Sequence, residues 1–80
     1  MKLVGLYVGI LRVDLGLSQE ELAQKVHISE KTLRNLESGK HEPKVTKLEE
    51  IVNLVHGSWV HVKQLLGSGE PELARQLAKE

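Results

Sequence analysis

Leu17-Ser18-Gln19-Glu20-Glu21-Leu22-Ala23-Gln24-Lys25-Val26-His27-Ile28-Ser29 is the stretch that decides how this 80-residue chain folds. Ser18 is a favourable helix N-cap. Glu21 stands three residues on, where its carboxylate can reach back to the Ser18 amide and complete a capping box. Leu22, Ala23 and Val26 then share one helical face, which predicts a short helix ending near Val26. His27 and Ile28 leave room only for a tight turn. Ser29 caps a second helix, with Glu30 in its first turn, where a carboxylate suits the helix dipole. Leu33 and Leu36 face inward, and Gly39 supplies a left-handed stop.

Upstream, Val4, Val8, Leu11 and Leu15 recur at spacings of three and four, and Tyr7 joins them. This predicts a first helix from Leu3 to Leu15, ended by Gly16. Leu3, Leu6, Ile10 and Val13 form a second apolar stripe, so the helix is apolar around much of its circumference and one side can meet a partner. Gly5 and Gly9 lower its intrinsic helix preference. Downstream of Gly39, residues 40–44 form a polar loop holding Pro43. Thr46 and Glu49 offer another capping box, followed by Leu48, Ile51, Val52 and Val55 on an inner face, with Gly57 as the stop. Ser58 is the expected cap of a fifth helix, Trp59 to Leu66, in which Val62, Leu65 and Leu66 are expected to be buried. Gly67-Ser68-Gly69-Glu70 reads as a hinge. Pro71 suits the first turn of a short last helix carrying Leu73 and Leu77. The expected fold class is therefore all-α, divided into a domain over residues 1–66 and a hinge with a helical tail over residues 67–80.

Composition narrows the function classes. The chain has one Trp, one Tyr and no Phe, so its core must be built mainly from Leu, Val and Ile. It has no Cys, which excludes disulfides and thiolate zinc sites. His27, His41, His56 and His61 lack ligand spacing, so no metal and no cofactor is expected. No Ser-His-Asp set, paired carboxylates or glycine-rich phosphate loop stands out, and the chain is not expected to be an enzyme. The apolar run from Leu3 to Leu11 is too short to span a membrane and lacks signal-peptide features, so the expected compartment is the cytoplasm. Eleven Lys and Arg balance eleven Asp and Glu. Any charged partner must then be met by a segregated face rather than by the net charge.

The quoted stretch, with Leu33, Leu36-Glu37-Ser38-Gly39 and Pro43, resembles the phage repressor and Cro type of helix-turn-helix domain, close to the small repressors of lambdoid phages. The resemblance covers roughly Leu6 to Leu66. It implies a five-helix repressor-like bundle, with the last short helix as an addition, in which the second and third helices form the motif. It also implies a sequence-specific double-stranded DNA-binding transcriptional regulator, a repressor, that binds its operator as a homodimer.

Carried over residue by residue, the resemblance places Ser29, Glu30, Lys31 and Asn35 where base edges are read. Thr32 and Arg34 flank them. Gln19 falls at the start of the second helix, where the family's glutamine touches phosphate and braces the third. Ser38, Lys40 and Lys44 fall in the loop region that meets the backbone. Arg12 matches a first-helix residue that pairs with the glutamate here numbered Glu37. These side chains suit such roles: Lys can donate to guanine, Asn can pair with adenine, and Glu can accept from cytosine. Several features depart from the family: the stretch His56 to His61 is longer than the usual link, the apolar, glycine-containing first helix is atypical, and three single positions differ. His27 replaces the usual turn glycine, Glu30 brings a negative charge to the reading face, and Lys44 replaces a small cap, which points to a fourth helix starting at Thr46. The dimer contact is expected between His56 and Leu66, with Trp59 and Val62 as anchors. Leu3, Leu6 and Ile10 form a rival surface. The alternative reading, favoured by zero net charge and the apolar first helix, is a protein-interaction module on the same fold, an adaptor or an antitoxin.

Overall fold

The computed structural model describes residues 2–80. Residue 1, where the expected first domain begins, lies outside them. Six helices follow one another: α1 (Lys2–Asp14), α2 (Gln19–Lys25), α3 (Glu30–Glu37), α4 (Val45–Leu54), α5 (Trp59–Leu66) and α6 (Pro71–Ala78). The described residues contain no strand. α1 is the central post, packing against α3, α5 and α6, while α2 packs against α3.

One device closes the first four helices. Gly16, His27, Gly39 and His56 all take positive φ, at 74°, 57°, 83° and 61°. In each case the following amide reaches back five residues: Leu17 to the Arg12 carbonyl (3.1 Å), Ile28 to Ala23 (3.0 Å), Lys40 to Asn35 (2.8 Å) and Gly57 to Val52 (2.8 Å). These are Schellman bonds, which satisfy carbonyls that a helix end leaves without partners. After Gly16 and His27 a serine at once caps the next helix. The Ser18 hydroxyl accepts from the Glu21 amide (3.0 Å) while Glu21 accepts from the Ser18 amide (2.9 Å). The Ser29 hydroxyl accepts from the Thr32 amide (3.0 Å).

The core takes Val4, Tyr7 and Val8 from α1, Leu22 and Ala23 from α2, Leu33 and Leu36 from α3, and Leu48, Ile51 and Val52 from α4. Val62 and Leu65 of α5 join it, as do Ala74, Leu77 and Ala78 of α6. Residues from both sides of the 67–70 linker thus enter one apolar cluster. Tyr7 is buried with its hydroxyl satisfied: it accepts from the Ser58 amide (2.9 Å) and is hydrogen-bonded to His61 Nδ1 (2.9 Å).

Four local expectations are corrected. α4 begins at Val45 rather than Thr46. Its first bond runs from the Leu48 amide to the Lys44 carbonyl (2.9 Å), and this added backbone bond outweighs a side-chain cap at Thr46. The left-handed residue after α4 is His56, not Gly57. Gly57 is needed for space instead, since a Cβ there would lie 2.9 Å from Val52 and 3.1 Å from Leu11 and Tyr7. Ser58 makes no side-chain cap bond, its amide being held by Tyr7. Leu15 and Leu66 are exposed, at 43% and 57%, because each sits where its helix ends and the chain turns away from the core.

Candidate nucleic-acid interface

The outward side of α3 carries Lys31, Arg34, Asn35 and Ser38 at helical spacings of three and four, opposite the buried Leu33 and Leu36. Glu30 and Arg34, one turn apart, form an exposed ion pair at 3.1 Å. The acidic residue on this face thus has a basic neighbour. Ser29 uses its hydroxyl within the cap: besides accepting from the Thr32 amide, it donates to Thr32 Oγ1 at 2.7 Å. Ser38 donates to the Asn35 carbonyl at 3.1 Å. Lys31, Lys40 and Lys44 are exposed and take part in no ion pair among the described residues. No bond engages the Lys31 ammonium or the Asn35 side-chain amide among the described residues.

Behind this face lies a polar brace. Arg12 Nε donates to Glu37 Oε2 at 2.8 Å, and Arg12 Nη2 donates to Glu37 Oε1 at 3.1 Å, with both side chains largely buried. Gln19 Nε2 donates to the same Oε1 at 3.2 Å. A third Arg12 bond, from Nη1, reaches the Leu17 carbonyl at 2.7 Å. One guanidinium on α1 therefore holds both the entry to α2 and the end of α3, and the fork geometry of arginine suits that double task. The structure brings Arg12, Gln19 and Glu37 together on one side of α3, and sets Lys31, Arg34 and Asn35 on another.

The two glycines of α1 find their reason here. A Cβ on Gly5 would overlap the Leu36 carbonyl oxygen and lie 2.8 Å from that of Glu37. A Cβ on Gly9 would lie 3.1 Å from the Glu37 carboxylate. The last turn of α3 thus rests backbone to backbone on α1. The helix preference lost at Gly5 and Gly9 is offset by this close approach.

A sequence model of the helix-turn-helix family matches residues 9–57. The chain belongs to the helix-turn-helix family. Its type is that of the phage repressor and Cro proteins, whose domains are DNA-binding and non-catalytic. Neither a curated protein nor a solved structure matches the chain. In this helix-turn-helix domain α2, the His27 turn and α3 are the motif, and all three lie within the matched span. The first half of α1, and all of α5 and α6, lie outside it. No described helix is long and apolar enough to cross a membrane.

Lys47 was not legible as a site residue. Its ammonium donates to the Val26 carbonyl at 2.7 Å and to Glu50 Oε2 at 3.0 Å. The only sequence signal is its place one turn before Ile51, at the edge of the inner stripe of α4, where a lysine needs a partner for its charge.

Proposed function

We propose that this helix-turn-helix domain is a sequence-specific, cytoplasmic transcriptional regulator, a repressor that lays α3 in the major groove of its operator. The observation that carries this reading is the division of labour on α3. Lys31 and Asn35 present uncommitted donors on the outward face, while the helix behind them is braced by Arg12, Gln19 and Glu37. Lys31 and Asn35 read base edges; Ser29 and Glu30, engaged with Thr32 and Arg34, contribute less to discrimination. Gln19, Thr32, Arg34, Ser38, Lys40 and Lys44 supply phosphate and flanking contacts, which position the domain without specifying sequence. Selection of bound duplexes from random DNA, followed by a salt titration, tests the reading. A recovered consensus and a steep loss of affinity with salt are expected. Recovery of no consensus would refute it.

The operator is bound by two copies, with their α3 helices about one duplex turn apart. Val62 is buried in its own core and cannot anchor the pairing. The exposed apolar side chains of that region are Val60 and Leu66, beside the half-buried Trp59. Sedimentation with a palindromic duplex is expected to show two chains per site, and saturation by one chain would end the dimer.

The second reading, an adaptor or antitoxin, has its own observation. Leu6, Ile10 and the exposed Val13 line a shallow cleft of about 350 Å³ on α1. Leu3, Leu6 and Ile10 also pack partly against the core, which leaves less apolar surface for a partner than the sequence stripe implied.

A further inference from the structure

We propose that Lys47 is a positioning residue: it fixes the peptide between Val26 and His27, and through it the pose of α3 on DNA. The proposal rests on the DNA reading above and adds a residue to it.

The Val26 carbonyl lies at the C-cap of α2, one of the groups that a helix end leaves without an intrahelical partner. Lys47 reaches it from α4 at 2.7 Å, and Glu50, one turn along α4, steadies the ammonium at 3.0 Å. Lys47 lines a groove together with Ile28, Thr32, Leu36 and Ile51. The ammonium is thus held by two partners, one on α2 and one on α4.

The peptide it holds is the one that joins Val26 to His27, and His27 has φ at 57°. A residue with a side chain adopts that conformation only at a cost, which glycine does not meet. A change in that torsion would swing the start of α3. Within the motif the turn is closed by the backbone bond from the Ile28 amide to the Ala23 carbonyl, while the side-chain ties from α1 lie elsewhere: Arg12 holds the Leu17 carbonyl before α2 and the Glu37 carboxylate at the end of α3. Lys47 is the side-chain tie at the junction itself. It fixes the orientation of a peptide plane, and hence the His27 torsion that begins there.

The test uses the full chain and the duplex recovered by selection with it, against a scrambled duplex. If only the correctly posed fraction binds specifically, apparent Kd rises as that fraction falls. Lys47→Met keeps the stem and removes the donor. It is expected to weaken binding to the selected duplex about tenfold, the scale of one hydrogen bond to a charged group. Discrimination against the scrambled duplex is expected to fall, and the salt slope to remain that of the native chain. Lys47→Arg should restore discrimination. In the free protein, amide shifts should change at His27, Ile28 and Ser29 and stay unchanged in α5 and α6. A shallower salt slope with equal losses on both duplexes would make Lys47 a phosphate contact and overturn the proposal. Unchanged affinity with unchanged amide shifts at the turn would overturn it as well. If the native chain prefers no duplex, the DNA reading fails first, and the amide shifts of free Lys47→Met alone decide whether the tie holds the turn. Should that variant not fold, Lys47→Leu, which also lacks a donor, takes its place, with the same results supporting or overturning the proposal.

Discussion

At the scale of single residues, contacts too close for any side chain matter as much as contacts made by side chains. Gly5 is the sharpest case, because a methyl there meets the Leu36 carbonyl oxygen and that of Glu37. Gly5→Ala is expected to cost roughly 1–3 kcal/mol, at the upper end for overpacking because the obstacle is backbone. Chemical denaturation checks this, and an unchanged midpoint would mean that α3 can lift from α1 freely. Glu21 offers a pH-dependent counterpart. The Ser18 amide, and after it the Ser18 hydroxyl, hold its carboxyl below the usual carboxylate range, with Lys25 assisting. A carboxylate depressed in the folded state stabilises above its unfolded pKa, and that contribution is lost as pH falls through the folded value. Glu21→Gln keeps an acceptor for the Ser18 amide but no charge. Its denaturation midpoint should therefore fall less than that of the native chain as pH is lowered through the acid range.

At the scale of elements, the motif was legible because local rules agreed there. Ser18 with Glu21, Ser29, and the buried Leu22, Ala23, Leu33 and Leu36 all lie where spacing and capping put them. Legibility failed where a backbone bond competed with a side-chain signal. Thr46 and Glu49 match the capping-box pattern, yet α4 starts one residue earlier on the Lys44 carbonyl. It failed too where a residue's task is set across the fold, as for Lys47 and Gly5, whose partners are distant carbonyls. The proposed reading residues were legible only through family resemblance, since a surface Lys31 or a half-buried Asn35 carries no local pattern of its own. Lys44, proposed above as a backbone contact, is a poor cap for its element. As the N-cap of α4 it makes no side-chain cap bond. Lys44→Ser is expected to raise stability by about 1 kcal/mol. It should also weaken DNA binding on every duplex alike and reduce the salt slope by about one ion. A rise in stability with no change in the salt slope would remove Lys44 from the backbone contacts.

At the scale of the whole molecule, α1 unites the family core with what lies outside it. Its second half carries Arg12 to the motif, while Val4, Tyr7 and Val8 help to form the cluster that α5 and α6 close. α6 contributes Ala74, Leu77 and Ala78 to that cluster. A chain ending at Gly67 should therefore unfold at a lower denaturant concentration and less cooperatively than the full chain. Identical unfolding would make residues 67–80 a separable tail, the division that the Gly-Ser-Gly linker suggested. The central claim is that α3, braced on α1, reads base edges through Lys31 and Asn35. Its most direct test is the affinity of Lys31→Ala and Asn35→Ala for the selected duplex and for a scrambled one, at a single salt concentration. Each variant should lose about 1–3 kcal/mol on the selected duplex, much less on the scrambled one, and relax the preference at one base position. Equal losses on both duplexes would contradict the account.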